Sequence, residues 1–275
     1  MRQRVFPAAL VAATAVALAF LLLPIAALFL RVSPGTLFGQ LGNSVAVDAI
    51  LVSLKTSAIA HGLVLAIGTP AAYLLATRRF RGRAVVLTLI ELPLVLPPAV
   101  AGIALLAAFG RLGLLGGTLD ALGVQVALTQ TAVVLAVVFV ESPFYLRGAI
   151  ASFEGVDRTL LDAARTLGAG PARVFGRVAL PLALGGLGAS SAVALARGLG
   201  EFGATIIFAG SLQGVTQTLP LAIYSELDRS FDTALAIGAL FVLLGLALLV
   251  ALKLVPLWTR SASTSLFRSA PSVSS

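Results

Sequence analysis

Long apolar stretches alternate with short polar, arginine-rich or glycine-rich segments along nearly the whole chain. Six of these stretches are long enough to cross the roughly 30 Å hydrocarbon layer of a bilayer as helices of about 20 residues. They cover residues 7–30, 51–77, 84–109, 126–147, 183–209 and 233–257. Backbone polar groups in lipid must find their partners within their own segment, and a helix does this. The pattern therefore predicts an all-α polytopic membrane protein with about six transmembrane helices.

Two of the six stretches carry features that modify this prediction. The first follows Arg2 and Arg4, as the apolar core of a signal peptide would. Its apolar run of about 25 residues exceeds the roughly 7–15 of a signal peptide, so we expect a membrane span. The third stretch contains Pro93 and the pair Pro97-Pro98. Proline removes a helical hydrogen bond, so we expect this helix to be kinked or interrupted.

The composition indicates a protein that lies in lipid, and it limits the kinds of site that the chain can form. Hydrophobic residues make up 59% of the chain and charged residues 11%, and the mean hydropathy is +1.06. Soluble domains carry about 25% charged residues. The chain contains no cysteine and a single histidine, His61. These counts exclude disulfides, thiolate chemistry and metal sites built from several histidines.

The distribution of the basic residues predicts the topology. If the N-terminus is cytoplasmic, the inner segments hold thirteen arginines and the outer loops only Arg31, Arg111 and Arg229. The inner set is Arg2, Arg4, Arg78, Arg79, Arg81, Arg83, Arg147, Arg158, Arg165, Arg173, Arg177, Arg260 and Arg268. Cytoplasmic loops are enriched in arginine and lysine. We therefore expect both termini in the cytoplasm, and the net charge of +8 needs no nucleic acid as a partner.

The segment 156–181, called the elbow below, lies between the fourth and fifth predicted spans and is basic and rich in glycine. Apolar residues recur at helical spacing from Val156 to Leu167, and Asp157 is placed to cap that helix. Gly168 and Gly170 end it, and Pro171 is suited to begin a second helix. The elbow is therefore predicted to be a helix-turn-helix with an exposed apolar strip, and an amphipathic loop lying on the bilayer is the alternative.

The elbow resembles the cytoplasmic "EAA" loop of ABC-importer permeases, with aspartate in place of the usual glutamate. The matching positions are Asp162, Ala163, Ala164, Gly168, Val178, Leu180 and Pro181. The resemblance continues from about residue 50 to the end of the sixth span. Residues 92–98 (LPLVLPP), 164–170 (ARTLGAG), 199–205 (LGEFGAT) and 216–224 (TQTLPLAIY) are similar to molybdate-type permeases, with sulfate/thiosulfate and tungstate permeases as relatives that share part of this set.

The resemblance implies a type I ABC-importer permease fold in three parts. Residues 1–50 would form an N-terminal transmembrane helix and outer loop, and residues 51–257 the permease core with its cytoplasmic coupling loop at 148–182. Residues 258–275 form a serine-rich tail that we expect to be disordered. The elbow would insert into a groove on a separate ABC ATPase. The chain would therefore be no enzyme itself, and it lacks the Gly-x-x-x-x-Gly-Lys-Ser/Thr segment that cradles phosphates.

The partners implied by the resemblance are a second copy of the chain, two ATPase subunits that hold ATP and magnesium, and an extracytoplasmic oxyanion-binding protein. The complex would lie in the plasma or inner membrane of a bacterium or archaeon and import an oxyanion. Molybdate is the favoured anion, and tungstate and sulfate or thiosulfate remain alternatives. No cofactor is expected on the chain itself.

Ionisable residues inside spans are costly and mark candidate functional sites. Arg197 and Glu201 are expected on one helix face near the middle of the fifth span, either as a structural pair or in the pathway. Thr205, Ser211 and Thr216 are further candidates to line a pathway, because hydroxyl groups suit a passing dianion. Glu91 and Glu141 are expected nearer span ends, and His61 is expected to be a packed, hydrogen-bonded histidine.

Two functions of other classes remain open at the level of sequence. A proton-driven secondary transporter could use Glu91, Glu141 and Glu201 as relays, but it would not need the elbow. An intramembrane enzyme would need a nucleophile-base pair or a metal site, for which one histidine and no cysteine leave little material.

Overall fold

The computed structural model describes residues 2–267, and every regular element among them is helical. The first seven helices are α1 (Arg2–Arg31), α2 (Pro34–Gly39), α3 (Ser44–Thr77), α4 (Arg83–Val95), α5 (Pro98–Phe109), α6 (Gly116–Ala121) and α7 (Gln130–Glu154). The next six are α8 (Arg158–Thr166), α9 (Pro171–Val174), α10 (Leu180–Leu199), α11 (Gly203–Ala209), α12 (Leu219–Leu227) and α13 (Phe231–Phe267). A 3₁₀ turn at Gln40–Gly42 precedes α3, and a π-helical turn at Phe175–Ala179 joins α9 to α10.

The prediction of about six spans is confirmed with one irregular member. Five helical segments are long and apolar enough to cross a membrane, with cores at Ala9–Arg31, Ser44–Thr77, Gln130–Glu154, Pro171–Leu199 and Phe231–Leu252. The sixth is the pair α4 and α5, which bends by 115° at Leu96-Pro97. The interruption expected from the Pro97-Pro98 pair is therefore present, since Pro98 begins a new helix in a different direction.

Helix α7 is the centre of the bundle. It packs along α3 on one side and α10 on the other, and it also contacts α4 and α11. Small residues allow these approaches: Ala132, Ala136 and Ala149 of α7 are fully buried. Alanine and glycine at helix contacts let backbones come close, which compensates in lipid for the missing hydrophobic driving force.

The fifth span differs from its predicted limits at both ends. It was expected at 183–209, but the helix is continuous from Pro171 to Leu199 and then breaks. The residues after the break form the separate short helix α11, which packs against α5 and α7. The apolar run hides this break, because hydropathy registers side chains and not the course of the backbone.

Helix α1 lies at the outside of the bundle, and helix α13 extends beyond its predicted limit. Helix α1 is exposed along its apolar length and makes its contacts with α13. Helix α13 continues to Phe267, so the first part of the expected tail, 258–267, is helical. The remainder of that expected tail, 268–275, lies outside the described residues.

Candidate functional site

The elbow is built by local capping chemistry at each of its corners. The Asp157 carboxylate accepts a hydrogen bond from the Thr159 backbone N–H at 2.9 Å and so caps α8. At the other end Gly168 has a φ of +81°. Its N–H donates to the Arg165 carbonyl, and the Ala169 N–H donates to the Ala164 carbonyl. These two bonds are the Schellman motif, which favours glycine at the left-handed position.

Aromatic and aliphatic side chains fix the elbow to the bundle. Leu161 of α8 and Val174 of α9 are buried, with 4% and 1% of their surface exposed. The Phe175 ring lies 4.8 Å from that of Tyr73 on α3 and 6.3 Å from that of Phe153 on α7. Leu160 and Leu167 of the predicted apolar strip are exposed, as expected, whereas the apolar residues of the second elbow helix pack against the membrane helices. A movement of the elbow must displace packed rings, so it is transmitted to α3 and α7.

The outward face of the elbow carries three of the residues at positions of the EAA pattern. Asp162, Ala163 and Gly168 are exposed, and the Asp162 carboxylate pairs with Arg165 Nη1 at 2.7 Å. Ala164 and Val178 are half-buried against the bundle. Leu180 and Pro181 open α10, which continues from α9 through the π-helical turn without a break. The second half of the elbow is therefore the beginning of one continuous helical segment, Pro171–Leu199, which is called the rod below.

Two interrupted helices, α5 and α11, meet just beyond the end of α10. Gly203, the first residue of α11, lies against Pro98, the first residue of α5, so closely that a Cβ on Gly203 would be 2.5 Å from the Pro98 Cβ. One turn further on, a Cβ on Gly102 would lie 2.8 Å from Ile207 Cβ. Irregular backbone at membrane depth is tolerated where protein buries it or where it lines a cavity.

Arg197 and Glu201 lie beside this contact, and their placement corrects the expectation from sequence. They were expected on one helix face in mid-span, but Arg197 is in the last turn of α10 and Glu201 follows the end of the helix. Arg197 Nη1 lies 3.0 Å from Glu201 Oε2, and Glu201 Oε1 accepts from the Ala204 N–H at 2.8 Å. The Glu201 side chain is fully buried and that of Arg197 is 33% exposed. The pair therefore holds the break together and leaves part of the guanidinium accessible.

The three hydroxyl candidates occupy different environments. Thr205 of α11 is fully buried, and its hydroxyl has no hydrogen-bond partner among the described residues. Ser211 is exposed and accepts from Gln217 Nε2 at 3.3 Å. The buried Thr216 hydroxyl accepts from the Leu212 N–H at 3.0 Å and so stabilises the turn between α11 and α12. Within the described chain, no hydrogen bond joins Ser211 or Thr216 to the Arg197–Glu201 pair.

A family model confirms what the elbow and the interrupted bundle indicate. Residues 68–259 match the family described as "Binding-protein-dependent transport system inner membrane component". The chain belongs to this family.

Individual relatives agree with the family match. A molybdenum transport system permease protein, ModB, of Mycobacterium tuberculosis is 47% identical over 229 residues, which is 81% of this chain and 84% of the relative. The ModB protein of Escherichia coli K12 is 44% identical over 65% of this chain and 78% of its own length. A solved bacterial alginate ABC transporter, in complex with its periplasmic protein, shares the fold with a TM-score of 0.72 at 16% identity, over 91% of this chain and 93% of that one.

As in other members of this inner-membrane family, the chain is a multi-pass permease subunit.

The cap at Asp157 can be tested by substitution. The Thr159 N–H lowers the pKa of the Asp157 carboxyl below its ordinary value of 3.8. Because the folded-state pKa is depressed, the cap contributes fully above the ordinary pKa and is lost as the pH falls through the lowered one. We expect Asp157→Ala to raise amide hydrogen exchange in the first turn of α8 several-fold at neutral pH. Asp157→Asn keeps a capping oxygen and should stay near wild type.

A buried polar cluster lies elsewhere in the bundle, where the sequence did not predict one. His61 of α3 contacts Glu141 Oε1 of α7 through Nδ1 and Ser191 Oγ of α10 through Nε2, the latter at 2.8 Å. Glu141 is fully buried and lies in the middle of α7, so the expectation that it lies nearer a span end is wrong. Glu91, by contrast, is exposed and lies 3.7 Å from Arg147 Nε. The expectation of a packed, hydrogen-bonded His61 is confirmed.

Proposed function

We propose that the chain is the membrane subunit of an ATP-driven importer of an oxyanion, with molybdate as the substrate. The observation that carries this proposal is the capped elbow, which is continuous with α10 and packs through the Phe175 ring on α3 and α7. A loop that merely lay on the bilayer would not need this connection. Molybdate is supported by the relatives at 44–47% identity, each named for molybdenum transport.

In this proposal the elbow docks on an ABC ATPase, which holds ATP and magnesium and performs the hydrolysis. Two copies of the chain pair over two ATPase subunits, and both termini lie in the cytoplasm. The exposed Asp162, Ala163 and Gly168 form the docking surface. Because Ala163 and Gly168 are small, the ATPase can approach the backbone of the elbow closely. Closure of the ATPases pushes the elbow, and α10 carries the movement to the break at residues 200–202.

The same proposal puts the pathway at the contact of the two interrupted helices. Discontinuous helices frequently form the substrate sites of transporters, because their ends offer backbone groups at membrane depth. Here the partly exposed guanidinium of Arg197 supplies a positive charge, and Glu201 keeps it from binding an anion too tightly. Thr205 offers a buried hydroxyl, without a partner among the described residues, one turn beyond Glu201. An extracytoplasmic binding protein would deliver the anion to this region, and Ser211 and Thr216 lie in the following loop.

The test is uptake into proteoliposomes that contain the chain, its partner ATPase and its binding protein. We expect uptake of molybdate that requires ATP and that an excess of sulfate does not suppress. An ATPase variant unable to hydrolyse ATP is the control and should abolish uptake. Uptake of sulfate in place of molybdate would contradict the substrate, and uptake without ATP would contradict the importer mechanism.

A further inference from the structure

The buried cluster of His61, Glu141 and Ser191 joins three spans at the middle of the bundle. His61 is the eighteenth of the 34 residues of α3, and Glu141 is the twelfth of the 25 residues of α7. At 1.5 Å per residue, each lies roughly 15–25 Å from either end of its helix. All three residues are at least 90% buried. Ionisable side chains at this depth are costly and call for a reason beyond packing.

The hydrogen bonding of the cluster suits two protonation states equally well. With a neutral ring, Nδ1–H donates to the Glu141 carboxylate and Nε2 accepts from the Ser191 hydroxyl. With one more proton, Nε2–H donates to Ser191 Oγ and both contacts persist, because a hydroxyl can donate or accept. Only the direction of the serine bond and the net charge change. The cluster can therefore bind or release one proton without breaking a contact.

The two states differ in charge, and the surroundings do not compensate for the difference. Without the proton the cluster carries one negative charge on Glu141, whose Oε2 has no hydrogen-bond partner among the described residues. With the proton the cluster is neutral. No ionisable residue lies on α5 or α11. Around the cluster, α3 carries the exposed Lys55, α7 carries Tyr145 bonded to Thr69, and α7 also carries Arg147 beside Glu91 of α4.

The remaining charged residues near the cluster are Arg197 and Glu201. The cluster therefore lies close to the break that follows α10. A Cβ on Gly198 would lie 2.8 Å from Glu141 Oε2, so the α10 backbone lies against the free carboxylate oxygen. The Gly198 carbonyl in turn accepts from the Glu201 N–H at 3.1 Å. The α10 backbone at Gly198 therefore lies between a negative charge on Glu141 and the Arg197–Glu201 pair.

We propose that His61, Glu141 and Ser191 form a buried proton-binding site whose occupancy sets the rate of anion transport. The proposal rests on the proposed function, since it requires an anion to pass the break after α10. When the site loses its proton, the uncompensated charge on Glu141 repels the anion in the low-dielectric interior and slows its passage. The proton acts as a regulator here, and ATP remains the source of energy.

Isotope labelling can detect the proton directly, because His61 is the only histidine of the chain. We would label histidine with ¹⁵N, purify the protein without a histidine tag, and record ring nitrogen signals in nanodiscs from acidic to alkaline pH. We expect a ring protonated on both nitrogens that loses one proton in a single step. Glu141→Gln should remove the protonated form, since an amide cannot balance the imidazolium. A ring that titrates identically in wild type and Glu141→Gln would overturn the proposal.

Transport rates provide the second measurement. We expect the maximal rate of ATP-driven uptake, but not the KM for the anion, to fall roughly tenfold as rising pH removes the proton from the site. The double variant His61→Leu/Glu141→Leu replaces a buried polar pair by apolar side chains, which often preserves folding. It should transport without this fall. Glu91→Gln, which alters the exposed carboxylate on α4, should keep the wild-type profile.

The outcomes separate this proposal from the function on which it rests. If the folded double variant retains the fall in transport rate with rising pH, the cluster is structural and the proposal is wrong. If the wild-type protein takes up no anion under any condition, the proposed function fails, and the labelled ring still decides whether the site binds a proton. Gel filtration and melting of each variant confirm that the compared proteins are folded.

Discussion

Gly203→Ala is expected to remove most transport activity, while Gly200→Ala, in the same break, leaves it near wild type. The added Cβ at position 203 would lie 2.5 Å from the Cβ of Pro98, a distance that non-bonded carbons do not adopt. Pro98 begins α5 and its ring cannot rotate away. The contact between α5 and α11 must therefore open.

The expected size of this effect follows from overpacking. Forcing one extra methyl group into a tight contact costs about 1–3 kcal/mol. Because the displaced elements carry the break next to Arg197 and Glu201, we expect uptake to fall at least tenfold and the melting temperature to decrease. At Gly200 a Cβ would meet no atom closer than 3.9 Å, so the same substitution is accommodated there.

The measurement is ATP-driven uptake together with the melting temperature of both variants in detergent. A second variant tests the cause: Pro98→Gly in the Gly203→Ala background removes the clashing Cβ and should restore part of the uptake. Equal activity of Gly203→Ala and Gly200→Ala would show that the two interrupted helices separate freely, and the proposed pathway at their contact would be wrong.

Local features of the chain were predictable because their causes lie within a few residues of sequence. The break in the third span follows from the Pro97-Pro98 pair, and both helices of the elbow begin where their caps predict. Asp157 caps α8, and Pro171 opens α9. Each of these signals acts through the backbone of its neighbours, so no knowledge of packing is required.

The end of α10 at Leu199 was not predictable from hydropathy. The residues after it, from Phe202 to Ala209, are as apolar as a membrane helix and differ only in the course of their backbone. The cluster of Gly198, Gly200 and Gly203 was the available signal, although glycines in a membrane span also occur where helices approach closely. It also marks the break, because glycine is a weak helix former and tolerates a change of direction.

The buried cluster could not be predicted because its members come from distant parts of the chain. His61 and Glu141 are 80 residues apart, and His61 and Ser191 are 130 apart. The error over Glu141 has a simpler cause. The fourth span was expected at 126–147, but α7 runs from Gln130 to Glu154, and this shift moves residue 141 from near an end to the middle.

Gly168→Ala is expected to uncouple ATP hydrolysis from transport, whereas Gly170→Ala has little effect. The two glycines are two residues apart in the elbow, and a Cβ on either would meet no atom within 4 Å. They differ in the backbone: φ is +81° at Gly168 and −66° at Gly170. The left-handed conformation costs an ordinary L-residue about 1–2 kcal/mol. The comparison therefore isolates the Schellman turn from any effect of side-chain size.

The loss is expected in coupling, since the turn sets the angle between α8 and the rod formed by α9 and α10. If the strained turn reduces the population of correctly shaped elbows, uptake should fall roughly tenfold, while the partner ATPase keeps its basal hydrolysis. The readout is the number of anions imported per ATP hydrolysed in proteoliposomes. Wild-type coupling in Gly168→Ala would contradict the assignment of this turn as the element that sets the angle of the elbow for coupling.

Gly168→Asn decides whether the backbone or the space at this position matters. Asparagine adopts the left-handed conformation more readily than alanine, although its side chain is larger. If the Schellman turn is the important feature, the Gly168→Asn variant should couple better than the Gly168→Ala variant in the same assay. If instead the ATPase requires an unobstructed surface at the exposed Gly168, the order reverses, because the larger side chain then interferes more. The ranking of the two variants thus separates a conformational role of Gly168 from a docking role.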